Sequence, residues 1–141
     1  LNETVEAYAM EFSKESGIKV QVKTSRVVSE IEPIIKVAVF RLIQELLNNI
    51  KKHSKCASTV IQLEYGTKYL RLTVVDDGIG FNVENTLATL KKKKISYGLL
   101  GIHERVKQFN GDITFSSHID QGTTVMIKLP VSREVVQDER E

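Results

Sequence analysis

A chain of 141 residues, 41% apolar and 27% charged, has the length and balance of one globular domain around a single core. Its formal net charge of +2 gives no argument for nucleic acid as a partner, and no apolar run is long enough to span a membrane. The lone Cys56 cannot close an internal disulfide, and no Cys/His cluster suggests structural zinc, so a reducing compartment is expected.

Residues 2–16 place Val5, Tyr8, Ala9 and Phe12 at helical spacing, with Gly17 as the stop. In "IKVQVKT", Ile18, Val20 and Val22 alternate with polar residues, which predicts a half-buried strand. Residues 29–55 predict one long helix, with Ser29 or Glu30 as its cap and Pro33 near its first turn. Ile35, Val39, Leu42, Leu46 and Ile50 form its apolar stripe. "STVIQLEY" and "YLRLTVVD" alternate as strands of a hairpin that turns at Gly66. Residues 82–97 are polar, lysine-rich and weakly periodic, and predict a long mobile connection. A second helix follows in "LLGIHERVKQFNG", closed by Asn110–Gly111. "DITFSSHI" and "TTVMIKLP" predict a last antiparallel pair. This order favours an α+β two-layer sandwich over a doubly wound parallel sheet, as one domain over residues 1–131 with a charged tail over 132–141.

Two features carry possible chemistry. Arg41, Glu45, Asn49 and His53 follow at steps of four, making one polar ridge on the long helix. That ridge is either a solvated face or a pair of hard ligands, Glu45 and Asn49, suited to magnesium and its waters. Asparagine is a poor residue for a helix interior, and both Asn48 and Asn49 stand there. The second feature is "VVDDGIGF", where a strand ends in Asp76-Asp77 followed by Gly78 and Gly80. Asp-Gly is a common turn pair, but a second glycine so soon is more than a minimal turn needs. Gly98 and Gly101 then open the helix of "YGLLGIHERV", where free backbone N–H groups and the helix dipole suit a phosphate. None of these segments is a Walker loop or a dinucleotide fingerprint.

Taken together, "QELLNN" with "KKH", "DDGIGF", "YGLLGIHERV" and "GTTVMIKLP" resemble the nucleotide-binding boxes of sensor histidine kinases. The resemblance is to the catalytic ATP-binding domain of the DesK, DegS and ComP subfamily, and it covers nearly the whole chain. That superfamily also holds gyrase B, the Hsp-type chaperone ATPases and MutL. It implies a Bergerat-type fold, with a mixed, mainly antiparallel sheet and helices on one face.

By the same resemblance, Glu45 matches the carboxylate that helps activate the phosphoacceptor, and Asn49 the magnesium ligand. Lys52 and His53 sit where phosphate-proximal residues are often found. Asp76 matches the acceptor for the adenine amino group, and Gly78 and Gly80 the glycines that pass the base and begin the lid. Gly98, Leu99 and Gly101 match the segment that brings backbone amides to the phosphates, and Thr123 the residue that supports the adenine-binding acid. Residues 82–97 become the ATP lid. Its Lys91 to Lys94 would then either neutralise phosphate charge or form a solvated charge cluster. Ser96 and Asp120 stand where the subfamily commonly has glycine.

No segment resembles the phosphoacceptor helix, and His53, His103 and His118 all lie within the ATP-binding domain. The expected reaction is therefore transfer of the γ-phosphate of Mg-ATP to a histidine on dimerisation helices outside this chain, for relay to a response regulator. An anti-sigma-type serine kinase and a non-catalytic ATP-binding module of the same fold are the alternatives. The chain begins at Leu1 without an initiator methionine, which predicts a piece of a longer protein, and the resemblance implies that this protein is a homodimeric kinase. As a piece it is expected to be monomeric, and to be the cytoplasmic part of a membrane-anchored bacterial protein.

Overall fold

A computed structural model describes residues 1–55, 57–78, 99–117 and 121–133. Helix α1 (Asn2–Ser16) ends at Gly17, which takes the left-handed conformation and donates its N–H to Ser13 O. Strand β1 (Lys19–Thr24) follows, then helix α2 (Pro33–Asn49). Strands β2 (Ser58–Tyr65) and β3 (Tyr69–Asp76) form the expected hairpin. Helix α3 (Leu99–Gln108), β4 (Asp112–Ser117) and β5 (Thr123–Pro130) complete the described chain.

The five strands form one sheet in the order β1-β2-β3-β5-β4. Only the β1–β2 pair is parallel, because α2 carries the chain back between them; the other three pairs are antiparallel. Period-two alternation then decides which side chains meet the helices. Ile61 and Leu63, Leu70, Leu72 and Val74, and Val125, Ile127 and Leu129 are buried on one face. Against them pack Val5, Ala9 and Phe12 of α1, Ile102 and Val106 of α3, and the broad apolar side of α2 from Ile35 to Leu47. Exposed Arg71, Val75 and Met126 mark the opposite, open face of the sheet. The fold is the two-layer α+β sandwich with helices on one face that the sequence predicts.

Two boundaries differ from the sequence reading. Helix α2 begins at Pro33, not at Ser29 or Glu30. Ser29 instead donates its hydroxyl to Gly66 O at 2.9 Å, across to the β2–β3 turn. Glu32 holds the capping position with extended backbone, and its carboxylate is taken by the Arg133 side chain and backbone N–H. At the other end the α-helix stops at Asn49 and continues as a π-helical turn, Ile50–Ser54, ended by Lys55 at φ 53°. A π turn closes on the fifth residue rather than the fourth. The backbone beyond Asn49 is therefore out of phase with the step of four that links Arg41, Glu45 and Asn49.

Candidate nucleotide site

Strand register assembles the site's floor. Asp76 faces Thr59 on β2 and Thr123 on β5, and Thr123 in turn faces Ser117 on β4. All four side chains belong to the helix-facing side of the sheet, and they are the buried polar residues of the described chain. They form a polar rank across four strands at one end of an otherwise apolar face. Ser117 and Thr123 hydroxyls lie 2.8 Å apart, and Ser117 also donates to Gly122 O at 3.2 Å. Asp76, only 7% exposed, accepts the Gly78 N–H on Oδ1 at 2.9 Å. A buried carboxylate among hydroxyls, at the mouth of a strand, is built to accept a hydrogen bond.

The neighbouring acid does different work. Asp77 is exposed, and its Oδ1 accepts the Ala57 and Ser58 N–H groups at 2.9 and 3.0 Å, while Ser58 Oγ donates to Oδ2. The Ser58 N–H foremost holds this carboxyl below its ordinary range. Asp77 thus fastens the start of β2 to the end of β3, whereas Asp76 points inward.

Gly122 sets how closely the chain passes over this floor. It has φ +78°, and a Cβ placed on it would stand 2.2 Å from the Asp76 carbonyl oxygen. Glycine is required there on both counts.

Glu45 and Asn49 remain one turn apart on α2, and both are partly buried. Glu45 Oε1 accepts a charge-assisted hydrogen bond from Arg105 Nη2 on α3, at 2.9 Å. Asn49 Nδ2 is buried with no partner among the described residues. An unpaired buried amide is costly unless something outside the chain meets it. Gly101 presents the opposite case to Gly122. It lies in the first turn of α3, and none of the described residues stands within 4 Å of where its Cβ would be. Glycine costs a helix about 1 kcal/mol relative to alanine, and packing among the described residues gives no reason for it.

The structure thus brings Asp76 and Thr123 together on the sheet, with Gly78 bonded to Asp76, and keeps Glu45 and Asn49 one turn apart on α2. Gly101 opens α3, which Arg105 ties to Glu45. Lys52 lies exposed in the π turn. Gly80, Gly98, Ser96, Asp120, His118 and the expected lid over 82–97 lie outside the described residues, as do the side chains of His53 and Leu99. Sequence reasoning missed Ser117 and Thr59, although alternation from Ile113 and Phe115 places Ser117 inward. It also missed Arg105, whose partner is 60 residues away along the chain, with no local signal. A groove lined by Leu1, Val27, Ile31 and Tyr65 opens near the other end of β2 and shares no residue with this rank.

Comparison with known families gives the class to which this sandwich belongs. Residues 35–133 match the family described as histidine kinase-, DNA gyrase B-, and HSP90-like ATPase, and the chain belongs to that family. It is 38% identical over 102 residues to the signal transduction histidine-protein kinase/phosphatase DegS of Bacillus subtilis, covering 72% of this chain and 26% of that protein. It is 27% identical over 132 residues to the oxygen sensor histidine kinase NreB of Staphylococcus carnosus, covering 94% of this chain and 37% of the relative. The chain thus spans well under half the length of these relatives. The blue-light activated histidine kinase of Erythrobacter litoralis EL346 shares the fold, with a TM-score of 0.71 at 22% identity over 96% of this chain and 43% of that one. Among the described residues no helix is long and apolar enough to cross a membrane.

Proposed function

We propose that this domain binds Mg-ATP over the polar rank and donates the γ-phosphate to a histidine on dimerisation helices outside this chain, for relay to a response regulator. The observation that carries the reading is Asp76, a carboxylate buried among hydroxyls and held by the Gly78 N–H. That is the acceptor an adenine amino group needs. Thr123, with Ser117 behind it, fixes that end of the site. The first turn of α3 at Gly101, preceded by Gly98 and Leu99, offers backbone amides to phosphate oxygens. Gly80, Lys52 and His53 complete the nucleotide's surroundings in this reading.

Asn49 fits a magnesium ligand: a half-turn of its amide presents oxygen at the point where its nitrogen is now unpaired. Bound there, magnesium would supply charge neutralisation at the phosphates. The acceptor imidazole attacks the γ-phosphorus, the bond to the bridging oxygen breaks, ADP leaves, and the imidazole proton passes toward Glu45. Positioning supplies most of the rate. The relatives' names, histidine kinases both, favour histidine over serine as the acceptor. The domain is taken as residues 1–131 with a charged tail, working in the cytoplasm within a homodimeric kinase and monomeric when isolated.

Calorimetric titration with Mg-ATP tests the first half. Wild type should bind, and Asp76→Asn should lose about 10- to 100-fold in affinity, because an amide nitrogen would then face the adenine amine. Equal binding by the two proteins would defeat the reading.

A further inference from the structure

We propose that Arg105 is a positioning residue for phosphoryl transfer, holding the Glu45 carboxylate in the orientation it uses. This rests on the reading of Glu45 given above. Among the described residues three ion pairs occur. Two of them, Lys107–Asp112 and Arg133–Glu32, have their cation more than half exposed. Arg105–Glu45 is the pair with both side chains about two-thirds covered, and it is the one that joins α2 to α3.

A solvated pair contributes little and tolerates loose geometry. This one is built differently. Arg105 Nε is buried with no partner among the described residues, so the guanidinium is drawn into the fold at the expense of one donor. A lysine could supply the charge alone; the planar fork adds direction. Glutamate has three side-chain torsions, and a proton acceptor that samples them all is seldom aligned with its proton. One hydrogen bond of 2.9 Å removes most of that freedom.

The placement on α3 gives the pair a second consequence. Gly101 and Arg105 are four residues apart and share a face of that helix. The same rigid element therefore offers its first-turn amides on the phosphate side and its guanidinium to Glu45. Nucleotide and proton acceptor are set from one body.

The test uses the full-length kinase carrying this domain, with radiolabelled ATP and the phosphoacceptor domain as the labelled product. Four variants are compared: Glu45→Gln, Arg105→Gln, Arg105→Lys and the Glu45→Gln/Arg105→Gln double. Arg105→Gln should slow transfer at saturating ATP by about tenfold or more, with Mg-ADP affinity within about twofold of wild type. Arg105→Lys should recover part of the rate, and the double variant should be no slower than Glu45→Gln. If Glu45→Gln is slow but Arg105→Gln transfers like wild type, the positioning role is wrong and the role of Glu45 stands. A double variant slowed by the product of the single effects means that Arg105 acts independently, which also overturns the proposal. Loss of Mg-ADP binding and melting temperature together, without rescue by lysine, would make Arg105 merely structural. If Glu45→Gln itself is silent, the underlying reading of Glu45 has failed.

Discussion

Replacing Gly122 by alanine should weaken nucleotide binding even though no group proposed to meet the nucleotide is removed. The residue's φ of +78° costs an alanine about 1–2 kcal/mol. Its Cβ would also stand 2.2 Å from the Asp76 carbonyl oxygen and 3.2 Å from Asp77 Cα, both of them backbone atoms that cannot swing aside. Relieving the first contact requires the two strands to part by about 1 Å, and such overpacking typically costs a further 1–3 kcal/mol. The combined loss of roughly 2–5 kcal/mol corresponds, at about 3 °C per kcal/mol for a chain of this size, to a melting temperature lower by about 6–15 °C. Asp76 sits on the strand that must yield, so the hydrogen bond proposed for it with adenine should weaken by about 1 kcal/mol or more, and Mg-ATP affinity by about tenfold. Thermal melts and calorimetric titration read the two effects separately, with the outward-facing Thr124→Ala as a control that should change neither. If Gly122→Ala melts within about 2 °C of wild type and binds Mg-ATP equally well, the floor does not depend on this close approach.

Three further predictions test other parts of the site. Gly101→Ala should raise stability by up to about 1 kcal/mol, since the added methyl meets none of the described residues, yet weaken Mg-ATP binding. A variant that is both more stable and binds equally would remove the phosphates from that turn. Asn49→Ala should abolish most of the difference between ATP affinity with magnesium and ATP affinity with chelator; an undiminished magnesium effect would place the ion elsewhere. Asp77 is held below its ordinary value of 3.8, so its contribution to stability is present above about pH 5 and is lost as pH falls through the lower folded-state value. The gap in urea midpoint between wild type and Asp77→Asn should accordingly narrow from pH 7 to pH 3, and a constant gap would contradict the assignment.

Alternation made most of this fold readable. β2 and β3 repeat buried and less buried positions along their full length, as β5 does as far as Leu129, and that pattern is local. Asp76 was legible for the same reason: it occupies an inward position after Leu70, Leu72 and Val74, where an acid needs a purpose. What the sequence could not show depends on partners distant along the chain. Ser29 looks like a helix cap until its hydroxyl is seen to reach Gly66, and Glu32 has no visible anchor until Arg133 meets it. The π turn after Asn49 has no proline or glycine to announce it. Asp77 reads as a turn residue, and its three bonds to Ala57 and Ser58 exist only once β2 and β3 are in register.

The rank from Thr59 through Asp76 and Thr123 to Ser117 draws on strands from both halves of the chain, and its last member stands on an edge strand. Any opening that peels β4 away separates Ser117 from Thr123 and leaves the floor incomplete. Nucleotide bound at that floor would then oppose fraying of the edge by mass action, by about 2.7 kcal/mol when its concentration is a hundred times its Kd. Amide hydrogen exchange along Asp112–Ser117 would slow to match. In a cell rich in ATP, the edge of the sheet would then be secured by the nucleotide proposed to bind there.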